Sequence, residues 1–248
     1  MHKILAAVRT FVLVPLFFLL TCVYALFIIV YGIFRPHTPL FGRIVKRWSR
    51  QFLRIPPVRF EIHGVEHVDE SRRYVVVSNH LSTFDIPLLF WVLPIEGRFL
   101  AKKELFRIPI VSPAMRRIGI IEVDRQAGGS SRQAINDGVR LAAERGYSLM
   151  VFPEGTRSGG EELLPFKKGA FRIAIDTGLP ILPVAIEGTD RISTPGSKLF
   201  FPGHARIRVL PPIETAELTN KDDLTPLMRA TEAAITNAYL DLHTSSKP

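Results

Sequence analysis

The chain has 248 residues and one cysteine, Cys22, which excludes an internal disulfide framework and a cysteine-rich metal site. The formal net charge of +9 would suit a nucleic-acid-binding protein, but residues 1–60 carry nine basic residues and no acidic one. Residues 61–248 carry 23 basic and 23 acidic residues, so this part is formally neutral and no nucleic-acid partner is expected.

The first element is an uncharged apolar run over residues 10–34, rich in Leu, Phe, Val and Ile. As a helix it would extend about 37 Å, enough to cross a hydrocarbon core of about 30 Å. A cleaved signal peptide is the alternative, but its apolar part is usually only about 7–15 residues long and ends at a small-residue cleavage site, which is missing here. Pro15 leaves a bent or re-entrant insertion open.

Residues 40–55 have apolar side chains at helical spacing, including Trp48 and Phe52, and basic side chains on most other positions. The pattern predicts a basic amphipathic helix in the headgroup region of an anionic membrane; a helix packed on the soluble domain is the alternative. We therefore expect residues 1–57 to anchor the protein to a lipid bilayer. If the apolar run spans the bilayer, the positive charges that follow it place the C-terminal domain on the cytoplasmic face.

Residues 58–248 are predicted to form a single domain after the boundary at Pro56-Pro57. Short apolar strands alternate with helical patterns, which indicates an α/β domain with a mixed sheet flanked by helices. The predicted strands are residues 58–63, 74–78, 98–101, 118–123, 148–152, 181–186 and 205–210. The predicted helices include residues 131–145, closed by Gly146, and residues 224–243.

The first stretch that could carry chemistry is Asn79-His80-Leu81-Ser82-Thr83-Phe84-Asp85, directly after an apolar strand. At this spacing His80 and Asp85 share no face of a helix or a strand, so they meet only if the intervening residues turn. Asp85 could then accept a hydrogen bond from one imidazole nitrogen and leave the other as a base. On spacing alone, a helix-capping aspartate beside an incidental histidine is the simpler interpretation.

The second stretch, Phe152-Pro153-Glu154-Gly155-Thr156-Arg157-Ser158, also follows an apolar strand. A glycine beside an arginine and two hydroxyl groups suits an anion, because the backbone can approach closely and the guanidinium can bind two phosphate oxygens. Arg125 ends another predicted strand. Ligands of α/β sheets collect at the carboxyl ends of strands, so His80, Arg125 and Arg157 together predict a site there.

These two stretches resemble the motifs of the glycerolipid acyltransferase superfamily, and within it the 1-acyl-sn-glycerol-3-phosphate acyltransferases. Two further blocks match in order, residues 101–105 leading to 119–125, and residues 179–184. The resemblance implies that residues 58–248 form an acyltransferase domain. It implies transfer of a fatty acyl group from a thioester, acyl-coenzyme A or acyl carrier protein, to the free hydroxyl of a lysophospholipid, with lysophosphatidic acid as the first expectation. Neither a cofactor nor a metal is expected.

The resemblance also implies roles for individual residues. His80 would be the general base and Asp85 its orienting partner. The expected binding site for the phosphate-bearing acceptor comprises Arg125, Glu154, Gly155, Thr156 and Arg157, with Lys102 and Lys167 as further basic positions. A thioester needs no enzyme nucleophile because its thiolate leaves readily, so His80 has only to take the proton of the attacking hydroxyl.

Two positions depart from the family pattern, and they affect the expected acceptor. Leu81 stands where glutamine is frequent, and Glu122 where an aromatic residue is usual. A glutamate near a phosphate would repel it, so either Glu122 faces away or the acceptor is another lysolipid, lysophosphatidylcholine-like or a lyso-amino-lipid. Outside the enzymes, a non-catalytic lipid-binding adaptor is the alternative, and an intact set of His80, Asp85 and Arg157 argues against it.

Two other enzyme classes fit the sequence poorly. A serine hydrolase would carry G-x-S-x-G, which is absent, although Ser82 beside His80 is a conceivable nucleophile. His63-Gly64-Val65-Glu66-His67 matches the H-x-x-E-H pattern of some zinc peptidases. That pattern requires a helix, whereas residues 58–63 predict a strand that enters a turn, so we predict no metal site.

Overall fold

The computed structural model describes residues 2–36, 38–123, 138–142, 144–160, 162–218 and 223–245. Two N-terminal helices, α1 (His2–Phe34) and α2 (Leu40–Phe52), precede an α/β domain. The strands are β1 (Val58–His63), β2 (Val75–Ser78), β3 (Gly97–Lys102), β4 (Ile121–Val123), β5 (Ser148–Val151), β6 (Ile181–Glu187) and β7 (Gly203–Val209). The numbered helices of the domain are α3 (Asp85–Val92), α4 (Val111–Arg117), α5 (Gly169–Thr177), α6 (Thr189–Ile192) and α7 (Leu224–Thr244).

Within the described residues the strands form one seven-stranded sheet in the order β1-β7-β6-β2-β5-β3-β4. β6 and β7 pair antiparallel, whereas the other neighbouring strands pair parallel. The predicted mixed sheet flanked by helices is therefore confirmed. Because β6, β2, β5, β3 and β4 all run in one direction, their carboxyl ends lie at the same edge of the sheet, which is where α/β sheets bind ligands.

The central strands are buried on both faces, which explains why they are continuous apolar runs in the sequence. Successive side chains of a strand point to opposite faces. Val75 and Val77 accordingly belong to the apolar cluster beneath α5 and α7, and Val76 to the cluster beneath α3. Two hydrophobic cores thus hold the sheet between two layers of helices and make its carboxyl edge a rigid support.

Most predicted strands are confirmed, with ends within two residues of the prediction. The strand predicted at 118–123 is shorter, because residues 118–120 complete the turn that ends α4. The Ile118 N–H donates to the Ala114 carbonyl at 3.0 Å, and Gly119 has a φ of 86°. Of the helix predicted at 131–145, residues 138–142 are helical, while residues 131–137 and 143 lie outside the described residues.

Among the described helices, α1 is long and apolar enough to cross a membrane, judged by length and composition. One side of α1 contacts the domain near both ends of the helix. Arg9 Nη2 donates to the Phe200 carbonyl at 2.7 Å, and Arg117 Nη1 donates to the Gly32 carbonyl at 2.9 Å. The opposite side exposes large apolar side chains, among them Phe11, Leu16, Leu19, Val23, Leu26 and Val30.

The apolar side of α2 packs on the protein. The ring centroids of Trp48 and Phe17 of α1 are 5.6 Å apart, and those of Phe52 and Phe84 are 4.9 Å apart. The basic side chains Arg43, Arg47 and Arg50 are exposed on the other side. These contacts match the alternative of a helix packed on the domain, so any contact with lipid headgroups belongs to the basic side of α2.

Candidate active site

The chain turns after β2 so that His80 and Asp85 meet. His80 Nδ1 lies 2.7 Å from Asp85 Oδ2, and the same oxygen accepts hydrogen bonds from the N–H groups of Leu81 at 2.7 Å and Ser82 at 2.9 Å. Asp85 is fully buried. Because its neighbours are backbone donors, the arrangement suits an ionised carboxylate, which can only accept, and so places the imidazole proton on Nδ1.

His80 is held so that its second ring nitrogen, Nε2, is available. The His80 side chain is 16% exposed, and Nε2 has no hydrogen-bond partner within the described part of the chain. The imidazole stacks on Phe152 with ring centroids 4.0 Å apart, and the His80 carbonyl accepts a hydrogen bond from the Ser158 N–H at 2.9 Å. Aromatic packing and hydrogen bonds thus fix the histidine while one nitrogen remains accessible.

Two contacts between this loop and the end of β6 were not predicted from the sequence. The Asn79 side chain pairs with the Ile186 backbone, donating to its carbonyl and accepting from its N–H, both at 2.8 Å. Thr189 Oγ1 donates to Asp85 Oδ1 at 2.5 Å. A signal for Thr189 existed in its position just after a predicted strand, but only the neighbouring placement of β6 and β2 connects it to Asp85.

Glu154 follows β5 and holds in place the His80 loop, which is the segment 79–84 between β2 and α3. Oε1 accepts a hydrogen bond from the His80 N–H at 2.6 Å, and Oε2 accepts one from the Leu164 N–H at 2.9 Å. Burial raises the pKa of the Glu154 carboxyl to about 7, although these two hydrogen bonds act in the opposite direction. The family motif predicts Glu154 around the acceptor, but both of its oxygens accept hydrogen bonds from backbone donors, so its described contacts support the loop.

Gly155, Thr156 and Arg157 form the outer part of the arginine-bearing stretch. Gly155 has a φ of 75°, and a β-carbon at this position would lie 2.7 Å from Lys167 Nζ, so the absence of a side chain lets this amine approach the loop. The Thr156 and Arg157 side chains are exposed. Arg157 has no ion-pair partner among the described residues, which leaves its guanidinium available to an anion.

The other expected positions are distributed as follows. Lys102 ends β3 and is exposed, whereas Arg125 lies outside the described residues. Glu122, one departure from the family pattern, forms an ion pair with Arg116 at 2.6 Å. The Arg116 guanidinium therefore balances the negative charge that would repel an acceptor phosphate. Leu81, the other departure from the family pattern, is fully buried in the core.

The described residues contain no group of histidine, cysteine, aspartate and glutamate side chains that could hold a metal ion. His63 ends β1, Gly64 adopts a left-handed φ of 76°, and His67 lies in a 3-10 turn. The two histidines of the H-x-x-E-H match therefore do not lie on one helix, which agrees with the expected turn.

The mixed sheet and the histidine–aspartate pair at its carboxyl edge agree with an acyltransferase. A family model described as Acyltransferase matches residues 59–187, and the chain belongs to this acyltransferase family. It is similar to the 1-acyl-sn-glycerol-3-phosphate acyltransferase of Limnanthes alba, with 35% identity over 180 residues that cover 73% of this chain and 62% of the relative. The alpha form from Homo sapiens is 31% identical over 190 residues, which cover 77% of this chain and 67% of the relative.

The match thus spans about two thirds of the length of these relatives. Among solved structures, the fold is similar to the crystal structure of the 1-acyl-sn-glycerophosphate (LPA) acyltransferase, PlsC, from Thermotoga maritima. The TM-score is 0.73 at 26% sequence identity, and the match covers 100% of this chain and 99% of that chain. The family resemblance predicted from the sequence motifs is therefore confirmed.

Proposed function

We propose that the protein is a 1-acylglycerol-3-phosphate O-acyltransferase, which moves a fatty acyl group from a thioester to lysophosphatidic acid and forms phosphatidic acid. The observation that carries the proposal is the buried contact of 2.7 Å between His80 and Asp85 at the sheet edge that also bears Arg157. The names of the relatives and of the Thermotoga maritima structure support the same activity.

In the proposed reaction His80 Nε2 takes the proton from the acceptor hydroxyl as its oxygen attacks the thioester carbonyl. Collapse of the tetrahedral intermediate breaks the carbon–sulfur bond, and the leaving thiolate takes the proton from the imidazolium. Asp85 stabilises that imidazolium and keeps the ring in place. A positioned base typically contributes about 10²–10⁴-fold to the rate. The reaction uses no enzyme nucleophile and no cofactor, and the one cysteine, Cys22, lies in α1.

The acceptor phosphate would bind to exposed basic side chains near the carboxyl edge of the sheet. Arg157 can offer two parallel N–H donors to phosphate oxygens. Lys102 at the end of β3 and Lys167 beside Gly155 add positive charge. Arg125 is proposed as a further cation because of its place in the family motif. The acyl donor would be acyl-coenzyme A or acyl carrier protein, since both carry the thioester that this chemistry requires.

We also propose that α1 and α2 bind the protein to one leaflet of a membrane. The α1 contacts at Arg9 and Gly32 are 23 residues apart, which corresponds to about 35 Å of helix along the domain surface. A hydrocarbon core is only about 30 Å thick, so an α1 that crossed it would carry polar surface of the domain into lipid. The exposed apolar side of α1 would instead enter the leaflet. The basic side of α2 favours the anionic cytoplasmic surface.

The test is release of free thiol from acyl-coenzyme A by detergent-purified protein with a panel of lysolipids. We expect turnover with lysophosphatidic acid and a loss of about 10²–10⁴-fold in His80→Ala. His63→Ala, which removes an exposed histidine at the end of β1, is the matched control and should retain activity.

Turnover with a different lysolipid alone would keep the mechanism and change the acceptor. Acyl carrier protein is the donor to test next if acyl-coenzyme A is inert. Absence of turnover with both donors would overturn the enzymatic proposal and favour a lipid-binding adaptor. Sedimentation with anionic vesicles tests the membrane proposal separately, and protein that stays in the supernatant would contradict it.

A further inference from the structure

The end of β6 directs one side chain toward the His80 loop. β6 lies beside β2 in the sheet, and Gly188 follows it with a φ of 85°. A β-carbon at Gly188 would collide with the carbonyl oxygen of His204, so this turn requires glycine. Thr189 comes next and begins α6. The position of Thr189 is therefore set by the backbone on both sides.

Thr189 completes the hydrogen bonding of Asp85. The Oδ2 atom of Asp85 is used by the His80 ring and by two backbone N–H groups, whereas Oδ1 accepts from Thr189 Oγ1 at 2.5 Å. Both residues are fully buried, so water does not replace a missing donor easily. A buried carboxylate is stable in its ionised form only when its oxygens are hydrogen-bonded.

We propose that Thr189 is a positioning residue for acyl transfer. Its hydroxyl fixes the orientation of the Asp85 carboxylate, and Asp85 in turn holds His80 with Nε2 facing the acceptor. Thr189 acts through Asp85 and touches neither the lysolipid nor the thioester. The inference rests on the proposed function, because it assigns a part in the reaction that His80 is proposed to catalyse.

The test compares Thr189→Val, which removes the donor at nearly constant volume, with Thr189→Ser, which retains it. Loss of a hydrogen bond to a charged group predicts that kcat of Thr189→Val falls about tenfold. The KM for lysophosphatidic acid should stay within about twofold, because the phosphate-binding cations lie elsewhere. Thr189→Ser should recover at least about half of the wild-type kcat, because the hydroxyl that donates to Asp85 is restored.

Thr83→Val is the matched control. Thr83 Oγ1 lies 2.9 Å from Ser193 Oγ, so it joins the loop after β2 to the residue that follows α6, without touching Asp85. We expect this variant to keep kcat within about twofold, since it leaves the hydrogen bonds of Asp85 intact. Thermal unfolding of each variant measures the purely structural effect.

The outcomes separate this inference from the proposed function. A wild-type protein without turnover would overturn the function itself. Wild-type turnover with an unchanged kcat in Thr189→Val would overturn the positioning role alone. Equal losses of kcat in Thr189→Val, Thr189→Ser and Thr83→Val would show a structural role and also contradict it. If Thr189→Val does not fold, Thr189→Ala takes its place with the same expected loss.

Discussion

The loops that follow β2 and β5 are neighbours at one sheet edge, but their side chains are held differently. In the β2 loop Asp85 is fully buried and accepts hydrogen bonds on both carboxylate oxygens. In the β5 loop the Thr156 and Arg157 side chains are exposed. Preorganised groups contribute most when the reaction itself demands fixed geometry. The difference indicates that the proposed base is held in place before the acceptor binds. We expect the guanidinium of Arg157 to obtain its partner from the acceptor.

Glu154 connects the two loops. It follows β5 in the chain, yet its Oε1 accepts from the His80 N–H at 2.6 Å. The motif that contains Arg157 therefore has two parts: the buried Glu154, which supports the His80 loop, and the exposed Thr156 and Arg157, which we propose to face the acceptor. Variants in each part should separate effects on kcat from effects on KM.

The largest effect is expected for Asp85→Asn, which changes the buried partner of His80. A neutral amide stabilises the imidazolium poorly and does not enforce the Nδ1–H tautomer, so kcat should fall at least about 100-fold. Loss of hydrogen bonds to the backbone should also lower the free energy of unfolding by about 2 kcal/mol. Asp241→Asn, which alters an exposed ion pair with Arg208, is the control and should keep kcat. Steady-state kinetics and thermal unfolding measure both, and a near-normal kcat would contradict the base assignment.

Arg157→Ala should have the next largest effect, and it should act on binding. Loss of a charge-assisted contact with phosphate predicts a KM for lysophosphatidic acid about 10- to 100-fold higher. The free energy of unfolding should change by less than about 0.5 kcal/mol, because the side chain is exposed. Arg157→Lys should be intermediate, since an ammonium lacks the planar pair of donors. Arg172→Ala, an exposed position on α5, is the control; an equal rise in its KM would indicate nonspecific electrostatics.

Glu154→Gln should produce a smaller effect, visible in kcat and in the pH dependence of stability. The amide can accept only one of the two backbone hydrogen bonds, so the His80 loop loosens and kcat should fall roughly threefold to tenfold. Glu232→Gln is the control, because it makes the same change at a carboxylate that accepts one backbone hydrogen bond, from the Phe166 N–H at 2.9 Å. The amide oxygen can still accept that bond, so kcat should stay within about twofold.

The pH dependence follows from the raised pKa of Glu154. Burial raises this pKa from 4.5 to about 7, so the folded protein binds the proton more tightly than the unfolded chain. Proton binding to Glu154 therefore stabilises the folded state. This stabilisation is complete below about pH 4.5 and is lost as the pH rises through about 7. The stability of the wild type relative to Glu154→Gln should therefore fall between about pH 4.5 and pH 8, by at most about 3 kcal/mol. A relative stability that rises over this range would contradict the buried environment.

The smallest effect is expected for Glu122→Gln. Its carboxylate forms an ion pair with Arg116, and both side chains are partly exposed. Such pairs contribute about 0–1 kcal/mol, so unfolding should change little. Because Arg116 already balances the charge, the KM for lysophosphatidic acid should stay within about twofold. A large fall in KM would show that Glu122 opposes the acceptor and would direct attention to another lysolipid.

Much of the fold follows from local sequence. Strands buried on both faces are continuous apolar runs, so the positions of such runs in the sequence could locate β2, β5 and β6. Residues that follow such strands lie at the carboxyl edge, which places His80 and Arg157 in one region. The apolar and basic patterns of residues 10–34 and 40–55 likewise located α1 and α2.

Tertiary structure decided which side chains meet. Thr189 and Asp85 are 104 residues apart and Ile186 and Asn79 are 107 apart, and they touch because β6 lies beside β2 in the sheet. Local periodicity does not encode that strand order. The contact between Glu154 and the His80 N–H depends on strand order in the same way, because β5 lies on the other side of β2. The sequence by itself determined the elements and the residue types at the site; the order of the strands determined the partner of each side chain.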